Sequence, residues 1–498
     1  MAQALFRLIG AGWTLIRYDA LLPRELAQAA PPAARTLAKV LRLLSGPQAR
    51  GGRPGERLAA AFEREGPAAI KLGQLLSTRA DVFGEEMAND LARLKDALPP
   101  FPTAVAEAEV ARALGKPIDH LFQSFGPALA AASLAQAHAA VLRDGRKVAV
   151  KVLRPGVEAR VKADIGALHL AAALAERLGP TARRLEPRAF ADTVARSMAL
   201  ELDLRLEAAA ASEMAEVMAR EAYMRAPAVV WEGVAKRVLT LEWAAGTPLS
   251  APQALELPGL DRPALARNVI RAFLSQALDH GVFHADLHEG NLFVEAPDQL
   301  IAIDFGIVGR LGAPERRFLA EILWGFIQRD YRRVAEVHFE AGYVPKTRNI
   351  DDFAQALRAV GEPIFGRRAH EVSMGRLLGQ LFEITGLFDM RLRPELVLLQ
   401  KTMVTVEGVA RRIDPASDIW EAARPVVERW IRRELSPIAR LSQMAERGRR
   451  ALDLILTELE AARPTPTQTP SGGASLGLWV AIGLAFALSL AALADRIW

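Results

Sequence analysis

Apolar positions along this chain follow two rhythms. In "GERLAAAFEREGPAAIKLGQLLSTRADVFGEEMANDLARLKDALPPFP" they recur every three or four residues, which predicts three helices ending at the prolines. From Phe122 the rhythm changes. "FQSFGPALAAASLAQAHAAVLRDGRKVAVKVLRPGV" holds two β-type runs, and Asp144-Gly145 within "RDGRK" predicts the hairpin turn that joins them. Helical spacing returns from Val157 to about Arg225 with a break at Gly179-Pro180, and "APAVVWEGVAKRVLTLEW" adds two strand-like pieces. From Arg262 the pattern reads helix, a dense polar stretch, a short hairpin, and helices to Arg450. A short helix bounded by loops is expected between Pro31 and Pro54, and no internal repeat is visible.

The two ends differ from this body. Leu5, Ile9, Trp13 and Ile16 share one helical face, and Arg17 interrupts the apolar run, so the N-terminus reads as an amphipathic helix rather than a signal peptide. It is expected either on a membrane surface or packed on the body. From Leu476 to Ala494 nineteen consecutive residues carry no charge, which as a helix is about 28 Å, close to the thickness of a bilayer's hydrocarbon core. A buried core helix would show a polar face, and this segment has none. With the Pro/Thr/Ser/Gly-rich linker Arg463–Ser475 before it, the tail reads as a membrane anchor.

With 498 residues, 51% of them hydrophobic, two or three domains and at least one large core are expected. The dominance of Ala, Leu and Arg over aromatic residues points to a helix-rich α+β fold. The absence of cysteine excludes disulfides, thiolate zinc sites, cysteine-ligated clusters and cysteine nucleophiles. No G-x-G-x-x-G joins a strand to a helix and no Walker A run is present, so the usual flavin, nicotinamide and P-loop sites are not supported. The net charge of +5 is spread among acidic residues, and clusters such as "ERGRR" read as solvated helix faces. Nucleic acid is not expected as a partner.

The dense polar stretch is "FHADLHEGNLF", Phe283 to Phe293. Asp286 and Asn291 stand five positions apart in it, and the apolar strand "LIAIDFG" brings Asp304 thirteen residues after Asn291. Upstream, "VAVK" ends at Lys151, and Glu207 lies on a predicted helix in "ELDLRLEA". Taken singly, these are a solvated strand-end lysine, a surface-paired glutamate and turn-starting aspartates. In this order they supply what phosphoryl transfer needs: a cation for the phosphates, an acid to hold it, a carboxylate at the nucleophile, and an amide and carboxylate for magnesium.

Two features depart from ordinary kinases. Where a glycine-rich cradle would cover the phosphates, the chain has Ala130, Ala131, Ala132 and Ser133, whose side chains crowd the approach and resist positive φ. Pro127 and the later hairpin argue for a loop there rather than a helix. The literal "APE" at Ala313–Glu315 follows Asp304 by only nine residues, too few for a peptide-docking segment, and Pro314 is better read as a first-turn helix proline. His284 and His288 are read as loop-holding and as solvent- or backbone-facing, respectively, rather than as metal ligands.

The chain resembles the UbiB family of atypical kinases, also called the ADCK group, involved in ubiquinone biosynthesis. The resemblance spans about Gly66 to Pro425 and rests on "KLGQLLSTR", "AAAS", "VAVKVLRPG", "ELD" with "EA", "FHADLHEGNLF", "IDFG" and "TVEGVARRIDP". Ala210, Leu287 and Glu289 depart from the family's usual residues without removing a phosphate or magnesium ligand. What the resemblance implies is a two-lobed protein-kinase-like fold with N-terminal helices (1–55), a K-x-G-Q module (56–120), an N-lobe with a helical insertion (121–250), a helical C-lobe (251–462), a linker (463–475) and the transmembrane helix (476–494). It implies that Lys71 and Gln74 project into the site near Glu201 and Asp203, and that ATP or ADP with Mg²⁺ is the cofactor set, ADP being favoured. It implies membrane lipid, polyprenyl quinone precursors and quinone-biosynthesis proteins as partners, at a bacterial inner membrane with the body on the cytoplasmic side. Two alternatives stand beside it: a small-molecule kinase of the aminoglycoside or choline type, and a nucleotide-gated lipid-binding scaffold without turnover. Direct hydroxylation has no redox motif behind it.

Overall fold

A computed structural model describes residues 2–21, 36, 39–77, 84–91, 93–94, 99–177, 186–364, 384, 386–390 and 394–435. The chain divides into two units, Met1–Ile431 and Arg432–Trp498, and the first carries the site. Helices α1 (Ala2–Arg17), α2 (Pro54–Glu65), α3 (Pro67–Leu76) and α4 (Glu85–Leu91) precede any sheet. Pro54 and Pro67 occupy first turns, where a missing N–H costs nothing, and Gly66 at φ 104° makes the sharp corner between α2 and α3. Phe62, Met87, Leu91 and Leu94 form the small core of this region. A Cβ on Gly73, the glycine of "KLGQ", would overlap the Leu94 and Phe62 side chains, so glycine is what lets α3 sit this close.

Helix α5 (Thr103–Leu114) leads into strands β1 (Phe122–Ala131), β2 (Ala135–Leu142) and β3 (Lys147–Leu153). Helices α6 (Val157–Arg177), α7 (Pro187–Glu201) and α8 (Leu204–Ala219) follow, then β4 (Met224–Arg225) and β5 (Val238–Glu242). Strands β1, β2, β3 and β5 form one antiparallel sheet in that order. The "VAVKV" alternation explains its faces: Val148, Val150 and Val152 are wholly buried with Val110, Phe122 and Val238, while Lys147 and Lys151 face the other way. Each such valine contributes about 1.5–3 kcal/mol. A slip by one residue would exchange the two faces, which pins the register and with it Lys151.

Helix α1 takes the second of its two expected placements, against the body. It packs along α6, where Arg7 pairs with Asp164 at 2.7 Å, yet Leu5, Phe6, Ile9 and Trp13 point to solvent. Leu15 packs inward on the small core, so α1 has apolar residues on both its inner and its outer face.

The second lobe contains β6 (Thr247–Pro248), α9 (Arg262–Ser275), β7 (Val282–His284), β8 (Leu292–Glu295), β9 (Gln299–Ala302) and β10 (Val308–Arg310). Strands pair in the order β4-β9-β8-β6, and β7 pairs with β10. Helices α10 (Ala313–Gln328), α11 (Tyr331–Glu340), α12 (Ile350–Gly361), α13 (Pro394–Ile413) and α14 (Ile419–Glu434) complete it, with Phe326, Tyr331, Phe353 and Leu357 in their core. Pro314 lies in the first turn of α10, the helix-opening role its position predicts. This is a helix-rich α+β kinase-like fold. Among the described residues no helix is long and apolar enough to cross a membrane; the linker 463–475 and the predicted anchor 476–494 lie outside the described residues.

The alanine-rich loop is shorter than the sequence suggests. Ala130 and Ala131 belong to β1, paired with Ala137 and Gln136, and only Ala132, Ser133 and Leu134 make the turn. Pro127 does not stop the strand because β1 is an edge and its ladder is irregular between Phe125 and Ala128, where no donor is required.

Candidate active site

Strand β3 and helix α8 bring the first two predicted residues together. Lys151 Nζ donates to both Glu207 oxygens, at 2.7 and 2.9 Å, and lies 3.5 Å from Asp304 Oδ2. Burial pulls the ammonium down, but Asp304 and Glu207 outweigh it, so Lys151 stands above its usual pKa and stays charged. Lys151 in turn holds Asp304 below the usual carboxylate range, against burial. The bidentate contact from Nζ favours the ionised Glu207, although burial pushes that carboxyl up. Asp304 sits at φ 60°, a region few residues other than glycine adopt but that Asp tolerates, and its Oδ1 accepts the Gly306 N–H at 3.2 Å.

The catalytic-loop segment runs between β7 and β8. His284 is buried and has both ring nitrogens engaged: Nε2 faces the Ile303 carbonyl at 3.1 Å and Nδ1 accepts the Asp286 N–H at 3.1 Å. Burial lowers its pKa, which keeps the ring neutral with its proton on Nε2. Its ring packs on Phe305, so this histidine joins the Asp286 loop to the "DFG" turn. Asn291 Nδ2 donates to the Asp286 carbonyl at 3.0 Å, which leaves Oδ1 as the oxygen offered to a cation. The Ile303 N–H bonds back to the Asn291 carbonyl at 2.9 Å, holding the segments of Asn291 and Asp304 side by side. An amide oxygen and a carboxylate fit Mg²⁺, which takes few protein ligands and fills its shell with phosphate and water. Among the described residues no group of three or more His, Asp or Glu could hold a metal by itself. His288 accepts the Gly290 N–H on Nδ1 at 3.0 Å and places Nε2 3.6 Å from Asp286 Oδ2.

The helical module reaches the site through α3. Lys71 forms an ion pair with Glu201 at the end of α7. Two residues on, Asp203 caps α8 by accepting the Arg205 N–H at 3.2 Å, and its carboxylate is clamped by the Arg205 guanidinium. Asp203 thus does not join Lys71; it starts the helix that carries Glu207. Gln74 is half-buried one turn beyond Lys71, and its carbonyl accepts from Ser77 Oγ at 2.6 Å.

The turn over the site is tied down by residues that spacing did not single out. Arg154 Nε donates to the Ala132 carbonyl at 2.8 Å, and the Ala132 N–H bonds to Ala135 O at 2.8 Å. Beneath it, Gln136 bonds both the N–H and the carbonyl of Phe101, at 2.9 and 3.1 Å, and also contacts His138. Gln136 and His138 alternate with alanines in β2, and polar residues at inward positions of a strand were the available signal. Lys401 on α13 is another such residue: its Nζ lies 4.0 Å from Asp286 Oδ1.

Residues 93–338 match the ABC1 atypical kinase-like domain and residues 357–418 the UbiB helical domain. A probable protein kinase UbiB of Marinobacter nauticus is 39% identical over 446 residues, 87% of this chain and 80% of the relative. Its counterpart in Xanthomonas oryzae pv. oryzae is 39% identical over 464 residues, 89% of this chain and 82% of the relative. The solved complex of Rv3197 with erythromycin from Mycobacterium tuberculosis aligns with a TM-score of 0.52 at 22% identity, covering 79% of this chain and 97% of that one, and shows the shared fold.

Proposed function

Because this chain belongs to the UbiB family of ABC1-type atypical kinases, we propose that it is a membrane-anchored atypical kinase or ATPase that binds Mg-nucleotide and supports ubiquinone biosynthesis. The observation that carries this reading is Lys151, held charged between Glu207 and Asp304 at one wall of the site. Lys151 is the cation for the α- and β-phosphates. Its contact to Asp304 is the longest of its three and the one that phosphate oxygens displace, while Glu207 keeps the ammonium in place. Asn291 and Asp304 would hold Mg²⁺, whose charge, when bound, neutralises the phosphates. Asp286 takes the proton of the acceptor hydroxyl or orients an attacking water.

The acceptor is a small molecule or water rather than a peptide. Helix α10 begins nine residues after Asp304, which leaves no peptide-docking segment, and Lys71 of α3 is pinned to Glu201. The uncharged segment 476–494 supports anchoring in the bacterial inner membrane with the body on the cytoplasmic, nucleotide-containing side, where polyprenyl quinone precursors are found.

Nucleotide that binds only the native state at a hundred times its Kd stabilises it by about 2.7 kcal/mol. Mg-ADP and Mg-ATP should therefore raise the unfolding midpoint of the full-length protein in detergent, and Asp304→Asn should lose most of the magnesium-dependent part. An undiminished magnesium-dependent shift in that variant would remove Asp304 from the metal site.

A further inference from the structure

We propose that Lys401, on a helix outside the kinase-like segment, is the cation that stabilises the phosphoryl group during transfer; this rests on the kinase-like reading above. Residues 93–338 match the kinase-like domain, whereas Lys401 lies within the 357–418 helical-domain match. Even so, α13 is fastened to the catalytic loop at three successive points. Thr402 Oγ1 shares its proton between the Leu398 carbonyl of its own helix at 2.8 Å and the Ala285 carbonyl at 3.1 Å, Lys401 Nζ faces Asp286 Oδ1 at 4.0 Å, and Arg412 pairs with Glu289. The far end of the helix is held as well, by Arg262 Nε donating to the Ile413 carbonyl at 2.6 Å. A helix anchored beside Lys401, at Thr402, and again at its C-terminal end keeps the ammonium near the reacting carboxylate.

The need for such a group follows from the charges nearby. Within the loop Asp286–Asn291 itself the charged side chains are Asp286 and Glu289, and Glu289 is paired with Arg412. His288 accepts the Gly290 N–H on Nδ1, so its Nε2 presents at most one N–H to Asp286. Lys151 is committed to Glu207 and Asp304. In transfer, the bond from the γ-phosphorus to the β,γ-bridging oxygen breaks and a bond to the acceptor oxygen forms. The acceptor is water, an alcohol or a phenol; its proton goes to Asp286, and ADP leaves with the electron pair of the broken bond. Negative charge on the moving phosphoryl oxygens then lies beside Asp286, itself anionic at the start, and a second cation on that side lowers the cost. Lys401 fits: its contact to Asp286 is long for an ion pair, and its side chain is 51% exposed, so the ammonium is free to turn from carboxylate to phosphoryl oxygen.

The test uses the full-length protein in detergent with Lys401→Ala, Lys401→Gln and Lys401→Arg. Two ligands are titrated with Mg²⁺: ADP alone, and ADP with aluminium fluoride, which mimics the phosphoryl group in flight. ATP consumption gives kcat and KM. The expected result is ADP affinity within about twofold of wild type in every variant. ADP with aluminium fluoride should bind about 10²-fold more weakly in the Ala and Gln variants, kcat should fall by about the same factor, and Arg should restore part of both. If the Ala and Gln variants bind the fluoride complex as wild type does, Lys401 does not touch the phosphoryl group. If they lose ADP and the fluoride complex equally, Lys401 only holds α13 in place, and the proposal fails by that route. Wild-type protein that binds neither ligand would overturn the kinase-like reading itself. Because Lys401 is half exposed and its pair with Asp286 is long, the variants are expected to fold.

Discussion

His338 on α11 packs its ring against Phe353 and Tyr343 with Nδ1 2.7 Å from the Val334 carbonyl, and burial lowers its pKa to about 4. In the unfolded chain a histidine titrates near 6.5. Above that value both states are neutral and nothing is lost; as pH falls from 6.5 toward 4 only the unfolded chain takes the proton, and stability drops. Between about pH 7.5 and pH 5 this one residue should cost about 2 kcal/mol. His138 and His284 are lowered by burial too and add to the same trend. Urea midpoints at the two pH values should therefore differ in wild type, and the difference should shrink by about that amount in His338→Gln; an unchanged difference would show that His338 titrates normally in the fold. None of this was legible from residue type, because a histidine's charge depends on what surrounds it. Asp286, Asn291 and Asp304, by contrast, could be singled out by type and spacing, since their chemistry and their local loop are set within about twenty residues of chain.

Among the elements, the turn after β1 is the one whose substitution says most. Ala132 is held by Arg154 and Ala135 and does not adopt a positive φ. Replacing it with glycine removes a methyl from the cradle and lets the backbone approach the γ-phosphate. The ratio of ATP to ADP affinity should rise by about five- to thirtyfold in Ala132→Gly, or about 1–2 kcal/mol, as expected for one or two regained phosphate contacts. Side-by-side dissociation constants would show it, and a ratio that does not move would mean the turn does not select the nucleotide. Ala130 and Ala131 were expected in this loop because Pro127 argues against a helix; it does not argue against a strand at an irregular edge, which is what forms. The hairpin at Asp144-Gly145 was legible because the turn chemistry is local, with Gly145 at φ 86°.

At the scale of the whole molecule, the proposed membrane association rests on the uncharged tail 476–494 and on the exposed apolar face of α1. Deleting the chain from Leu476 should move much of the protein from the membrane to the soluble fraction of a cell lysate, any remainder being attributable to α1. Full retention of the truncated protein would deny the tail its role as principal anchor. The sequence by itself determined the hairpin at Asp144-Gly145, the alternation that turns Lys151 away from the valines, and the chain order of Lys151, Glu207, Asp286, Asn291 and Asp304. Each depends on side-chain periodicity or on chemistry confined to a short segment. Only the tertiary structure decided that Arg154 braces the alanine turn, that Gln136 ties β2 to Phe101, that Leu5, Phe6, Ile9 and Trp13 of α1 face outward, and that Lys401 arrives at Asp286 from a helix more than a hundred residues downstream. Those pairings join residues far apart in the chain, and periodicity carries no information about which distant faces meet; that is fixed when the elements pack and bury their apolar sides together.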